Sequence, residues 1–431
     1  MGKHDAGRRC GLLREAPRFR YLWLSRTISS TGIGMSRVAL VLLASPHGPA
    51  TVSAVLLAST LPQLLGPVAG AVADRVDQRR LLAGCEAGQG VIYAVIAVAR
   101  PPVPVLLPLV AVAGLLATLF SPAGKSSVPR LVPADRLPRA NALLGMALNL
   151  QLMAGPAIGG LLVGLAGPPA AFGANAGTFA ASALLLGRLG PLPPAPPAAP
   201  APATSRGGLM SETWAGLSYA ARAPVPRSLV LATLLFVSFA AIDNVALVFL
   251  VSRDLHGSAA GYGAVVAAFG TGMLAASLAL AMVAARRPPQ QWLIGGIAAG
   301  AAGTAGTGLA ASIGLASVAQ AVAGAGNTAD LVGTDTLIQQ VVPAHLLGRV
   351  FGAVYTAAQA GSGIAYAAAA PLVALTSPRI AFFIAGTGML TGLLVLIPAL
   401  RAAKRGPGAS GKPRPADPVT GPAGLAPAGP Q

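Results

Sequence analysis

The chain has 431 residues, 54% of them hydrophobic and only 10% charged, which excludes an ordinary soluble domain, where about a quarter of residues carry charge. Its net charge of +18 raises nucleic-acid binding as a possibility. That reading fails because the basic residues sit in short connectors between apolar runs, without a continuous stripe and without neighbouring aromatic stacking platforms.

Twelve runs approach the roughly 20 apolar residues that a membrane span needs. In chain order they cover about 21–45, 50–73, 79–99, 102–121, 140–166, 169–190, 228–252, 260–284, 291–311, 313–340, 348–376 and 378–400. Backbone groups in hydrocarbon must be paired within the segment, so the spans are expected as helices. None shows the alternation of apolar and polar residues of a membrane strand. The N-terminal Arg residues lead into a full-length apolar run with no small-residue cleavage site, so the first run is read as a retained span.

Lys and Arg fix the expected orientation. With the N-terminus in the cytoplasm, the cytoplasmic connectors hold most of them, and the outside keeps Arg100, Arg253 and Arg379. An even number of spans with both termini cytoplasmic follows. Trp23 and Trp292 fall at cytoplasmic span starts, the usual interfacial place for Trp.

The Pro/Ala-rich stretch from Pro191 to Ser205 cannot form a helix interior. The expected organisation is a cytoplasmic N-terminal segment (1–20), an N-terminal six-helix bundle (21–190), a cytoplasmic linker (191–227), a C-terminal six-helix bundle (228–400) and a disordered tail (401–431). A short amphipathic helix is expected near Glu212–Tyr219. A weak repeat relates the two halves: Pro133-Ala134-Asp135-Arg136-Leu137-Pro138-Arg139 is similar to Pro343-Ala344-His345-Leu346-Leu347-Gly348-Arg349, and Arg79-Arg80 to Arg286-Arg287. Parallel repeats around a central cavity are a transporter architecture.

After the second span comes Gly70-Ala71-Val72-Ala73-Asp74-Arg75-Val76-Asp77-Gln78-Arg79-Arg80. It resembles the signature loop of the major facilitator superfamily, with Asp77 and Gln78 where that family has Gly and usually a basic residue. The fifth span carries Gly155-Pro156-Ala157-Ile158-Gly159-Gly160, similar to the G-P-x-x-G-G element of exporters in that superfamily. The opening Phe19-Arg20-Tyr21-Leu22-Trp23-Leu24-Ser25-Arg26 and the stretch Gly348-Arg349-Val350-Phe351-Gly352 resemble its macrolide-efflux and enterobactin-exporter branch. Ile33 stands where that branch often has an acidic residue, and the Arg signature of many antiporters is missing from the fourth span.

The resemblance implies an all-α membrane protein with twelve transmembrane helices in two pseudo-symmetric six-helix bundles. It implies a conformational latch at Gly70, Asp74, Arg75, Arg79 and Arg80, with Asp74 facing the helix start near Gly348. Closing that latch would favour the outward-facing state. Gly155, Pro156, Gly159 and Gly160 are expected to form a bend, because Pro removes a backbone donor and Gly permits close packing.

Ionisable residues inside spans cost about 2.5–3.5 kcal/mol each on insertion scales, so each marks a candidate site. Arg37, Asp243 and Asp330 lie mid-span, in the first, seventh and tenth runs, which line the cavity in the superfamily it resembles. They are the proton and substrate candidates; the alternative is a structural Arg–Asp pair. Glu86 and Asp335 lie nearer the cytoplasmic ends and are expected as latch partners or solvated residues.

The expected function is secondary-active, proton-coupled export of a small amphipathic or apolar compound through a largely apolar cavity. A phosphate-cradling G-x-x-x-x-G-K-[ST] loop is missing from the sequence. An importer or facilitator, and a non-transporting membrane sensor of the same fold, remain as alternatives. No cofactor and no metal are expected: Cys10 and Cys85 lack ligand spacing, and the four His are scattered. No paired carboxylates or nucleophile elbow suggest an enzyme. The expected partners are a small-molecule substrate, protons and the lipid bilayer of the cell membrane, not nucleic acid, with the monomer as the functional unit.

Overall fold

The computed structural model describes residues 13–73, 75–133, 136–192, 222–283, 287–342 and 346–405. The regular structure among these residues is helical. The first half contains α1 (Pro17–Ala44), α2 (Pro49–Thr60), α3 (Gly66–Ala73), α4 (Gln78–Ala99), α5 (Val103–Leu131), α6 (Leu137–Ala166) and α7 (Pro168–Gly187). The second contains α8 (Pro224–Ala240), α9 (Asp243–Phe249), α10 (Ala259–Val283), α11 (Pro289–Leu309), α12 (Ile313–Val341), α13 (Leu347–Leu375), α14 (Pro378–Met389) and α15 (Thr391–Arg405).

Among the described residues, nine helices are long and apolar enough to cross a membrane, and Pro49–Leu65 is a shorter apolar one. The expected spans at 291–311 and 313–340 are helical as α11 and α12 but fall outside the nine. Their sequences are diluted with Gly, Thr and Gln, which lowers hydropathy without preventing close helix packing. A 29-residue helix such as α12 is about 44 Å long at 1.5 Å per residue, ample for a hydrocarbon core of about 30 Å.

Three expected spans are interrupted. The run 50–73 is divided by a 3₁₀ segment (Leu61–Leu65), where Pro62 lacks an amide donor. The run 228–252 breaks between Ala240 and Asp243 and ends in a π-helical turn (Leu250–Asp254). The run 378–400 breaks at Leu390. The second half starts at Pro224, ahead of the expected 228, and α15 continues to Arg405, past the expected 400. Of the expected linker, 193–221 lies outside the described residues, including the stretch near Glu212–Tyr219, as does the tail from 406. Leu192, placed at the start of the linker, is buried, and its carbonyl accepts from the Gln78 amide at 3.0 Å.

The helices run alternately between two ends. We call the end holding the start of α1 and the close of α15 the near end, and the opposite one the far end. The buried apolar residues are distributed unequally between them. At the far end one continuous cluster draws on both halves, including Val41, Val55, Phe172, Val245, Phe249, Val265, Tyr366 and Phe382. Tyr93 stacks there on Phe172 and Phe179, with centroids 6.2 and 5.7 Å apart. At the near end there are two clusters, one per half: Phe19, Leu82, Phe120 and Leu186 in the first, and Leu229, Leu293, Ile338 and Leu396 in the second. The halves are therefore welded at the far end, and their cores are separate at the near end.

The weld depends on glycine. A Cβ on Gly263 of α10 would lie 2.5 Å from the Pro156 carbonyl oxygen and 2.8 Å from Gly160 Cα of α6. Both obstacles are backbone, so only glycine allows this approach. Polar anchors complete the end: Arg379 pairs with Asp254 at 3.4 Å and donates to the carbonyls of Gly308 and Ala310 at 2.9 and 3.0 Å.

Candidate functional site

Between the halves, beneath the far-end cluster, lies a cavity of about 300 Å³. That is the small end of the range for ligand sites. The first half supplies Arg37 from α1 and Gln151 and Leu152 from α6; the second supplies Asp243 and Asn244 from α9, Tyr262 from α10, Gln320 and Asn327 from α12, and Tyr366 from α13. Phe236, Val266, Phe269 and Met389 form the apolar wall. The cavity is largely apolar, as expected, with amides, phenols and two charges interspersed among the hydrocarbon.

The break between α8 and α9 brings Asp243 and Asn244 to this wall. Asp243 Oδ2 accepts a hydrogen bond from Gln320 Nε2 at 2.9 Å, and its Oδ1 is buried without a partner. Arg37 reaches across the halves: its Nη2 donates to Asn244 Oδ1 at 3.1 Å and to Tyr366 OH at 3.2 Å. Arg37 and Asp243 therefore share one cavity but make no ion pair with each other. Asp330 does not line the cavity: its amide lies against Gly296 of α11, a position where a Cβ would collide with it.

A second set of polar groups also joins the halves. Gln63, in the 3₁₀ break, accepts from Tyr355 OH at 3.4 Å and from the Gln359 side chain of α13. None of Gln63, Asn244, Gln320, Tyr262 or Tyr366 stood out in the sequence, where attention fell on formal charge. Neutral polar side chains inside apolar runs carry the same signal in weaker form.

At the expected bend, α6 continues through Pro156 as one helix. Its glycines are contact points: a Cβ on Gly155 would lie 2.7 Å from Gly34 Cα, one on Gly159 2.8 Å from Met35 Cα, and one on Gly160 2.8 Å from Gly263 Cα. Gly155 and Gly159 seat α1, while Gly160 seats α10.

At the expected latch, Asp74 lies outside the described residues. Arg75 and Arg80 are exposed and Arg79 is half-buried. Positions Gly70 and Gly348 both have open space where a Cβ would stand. The two departures from the signature loop have structural uses. Asp77 caps α4, its Oδ1 accepting from the Arg80 amide at 2.9 Å. Gln78 is buried; its Nε2 donates to Ser126 Oγ at 2.9 Å, and its Oε1 accepts from Ser127 Oγ at 3.1 Å and Arg130 Nη1 at 3.3 Å. Gln78→Leu strands these partners in a buried site, and we expect it to lower stability by about 2 kcal/mol. Thermal unfolding in detergent, followed by loss of the monodisperse peak, measures this; an unshifted transition would exclude the hub role.

Glu86 corrects another expectation. It is 2% exposed within the first half, with Oε2 unpartnered, and so is not solvated. Arg26 of α1 supplies the opposing charge, its guanidinium 4.8 Å from the Phe120 ring centroid. Asp335 is exposed, as expected. Among the described residues, no cluster of His, Cys, Asp and Glu could hold a metal ion.

Comparison with known proteins agrees with this architecture. Residues 13–416 match the family described as "Transmembrane secretion effector". An uncharacterized transporter of the major facilitator type from Bacillus subtilis, YfiS, is 27% identical over 403 residues, covering 90% of this chain and 94% of that protein. Among solved structures, the nucleoside transporter NupG (D323A mutant) aligns with a TM-score of 0.73 at 11% identity, covering 89% of this chain and 99% of that one. A bacterial homologue of the human lysosomal transporter Spinster, inward-facing and unoccupied, aligns with a TM-score of 0.66 at 16% identity, covering 89% and 95%. At these identities the likeness concerns the fold alone.

Proposed function

This chain belongs to the transmembrane secretion effector family and is a multi-pass membrane transporter of the major facilitator type, and from that premise we propose that it is a proton-coupled exporter of a small amphipathic compound, working by alternating access. In this reading twelve spans form two six-helix halves, the near end faces the cytoplasm with both termini, and the monomer is the working unit. The observation that carries it is the mixed polar and apolar cavity between two halves that are welded at one end and separate at the other. Such a chamber takes its load from one side only, and exchange of the weld from far to near end would release it on the other.

The arrangement divides the work among particular residues. Asp243, with one carboxylate oxygen free of partners, is the proton carrier, and Gln320 holds its other oxygen. Arg37 spans both halves through Asn244 and Tyr366, so whatever engages its guanidinium is felt by both. Gly70, Asp74, Arg75, Arg79 and Arg80 form the latch of the opposite state, in which the near end closes. The family's description as a secretion effector supports export.

The test is flux in proteoliposomes loaded with fluorescent acidic, neutral and cationic amphipaths. Under an imposed pH gradient, a coupled exporter accumulates at least one probe against its concentration gradient, and a protonophore abolishes that accumulation. Equilibration indifferent to the gradient identifies a facilitator. Binding without any flux identifies a sensor and rejects the transport cycle.

A further inference from the structure

We propose that the central cavity selects amphipathic substrates bearing a compact anionic group, a carboxylate or a phosphate, with Arg37 as the anion anchor. This rests on the transporter reading and names the substrate class of the same site.

Arg37 lies in the last third of α1, flanked by buried Ser36 and Val38, yet is itself exposed. What it is exposed to is the cavity, whose wall it forms. Its Nη2 is engaged by two neutral groups, the Asn244 carboxamide oxygen and the Tyr366 hydroxyl, and among the described residues it has no ion-pair partner. The one carboxylate of the cavity wall, Asp243, is bonded to Gln320 through Oδ2, and its Oδ1 is shut away from solvent. The wall's positive charge is thus presented to the interior of the chamber and its negative charge is withheld.

A guanidinium confined among hydrocarbon, without a counter-ion, is strongly favoured to take one, because attraction grows as water is excluded. Its planar fork fits carboxylate or phosphate oxygens in pairs. With Nη2 occupied by Asn244 and Tyr366, these two side chains hold the fork while its remaining donors are available to a ligand. The anion's carrier must then lie along Leu152, Phe236, Val266, Phe269 and Met389, an apolar wall suited to a lipophilic body. A cationic drug is disfavoured by the same arrangement, since it would approach an exposed positive charge.

The experiment uses the full chain in nanodiscs and three probes of one fluorophore: dansylglycine (a carboxylate), dansyl-phosphoethanolamine (a phosphate monoester) and dansylglycinamide (neutral). We expect at least one acid to bind about tenfold or more tighter than the amide, as loss of a charge-assisted hydrogen bond implies. Which acid binds tighter identifies the anion. Arg37→Gln, checked for an unchanged melting profile, should erase the preference by weakening the acid alone. Arg37→Lys should keep part of it, as a charge without the fork. Equal affinity of acids and amide for the wild-type protein, no acid binding, or a preference that survives Arg37→Gln would each overturn the proposal. The wild-type comparison decides even if the Gln variant fails to fold. Flux of the amide with no preference for acids sinks the anion anchor and spares the transporter. Arg37-dependent acid binding without flux does the reverse.

Discussion

Replacing Gly263 with leucine is expected to force the far end apart and convert most of the population to a state open on that side. The reason is geometric. A first side-chain carbon at this position meets the Pro156 carbonyl oxygen at 2.5 Å and the Gly160 backbone at 2.8 Å. Neither obstacle is a flexible side chain that can rotate away, so α6 and α10 must separate. Gly270, farther along α10, likewise has the Leu152 and Met153 backbone against it, so the contact is a continuous seam and separation is not confined to one turn. Each half keeps its own near-end core, and the penalty therefore falls on the welded state more than on folding. Every 1.4 kcal/mol of such bias shifts the ratio of states about tenfold, and over-packing a close-packed interface costs about 1–3 kcal/mol or more.

Spin labels on Arg100→Cys and Ser252→Cys, both exposed positions at the far end, would report the change as a lengthened distance. A second pair at the near end, Lys125→Cys with Gln339→Cys, both exposed, should shorten in the same variant. Far-end lengthening without near-end shortening would mean local swelling in place of alternating access. Unchanged distances at both ends would show that the seam tolerates a side chain, and the glycine argument would fall.

The second large effect concerns Asp243→Asn. The carboxamide keeps the size of the side chain and can still bond Gln320, but it cannot gain or lose a proton at neutral pH. We expect gradient-driven accumulation to drop to the level of protein-free liposomes, while gradient-independent exchange of preloaded probe continues. The melting temperature should hold or rise, because the variant removes a carboxylate whose Oδ1 is buried without a partner. Concentrative flux at the wild-type rate would dismiss Asp243 as the proton carrier. Loss of both flux and exchange, with folding intact, would assign it to substrate binding instead.

Helical spans and the cavity's two charged residues were legible in the sequence. The spans follow from composition and length, because lipid demands internal backbone pairing and about 20 apolar residues per crossing. Arg37 and Asp243 were legible because a charge inside such a run needs a compensating partner. Asp330 passed the same test yet lies against α11, since a span's sequence indicates depth in the membrane and not which helix face meets the chamber. Glu86 went the other way: read as a solvated end residue, it is buried against α1 and α7, because its surroundings are set by Arg26, Ser29 and Ser182 from other helices. The breaks at Leu61–Leu65 and before Asp243 also escaped, although Pro62 marked the first.

The sequence by itself determined the solvent of this chain, its helical character, its likeness to a transporter superfamily and the list of charges that had to be explained. These are local properties, set by how each segment of about 20 residues meets hydrocarbon. Only the tertiary structure decided that Arg37 faces a chamber without a carboxylate partner, that Gln320 donates to Asp243, and that Gly160 and Gly263 seal the far end against each other. Those outcomes depend on which faces of distant helices meet, across separations such as 207 residues between Arg37 and Asn244. Packing of backbone against backbone selects those faces, and no periodicity within one span records the choice.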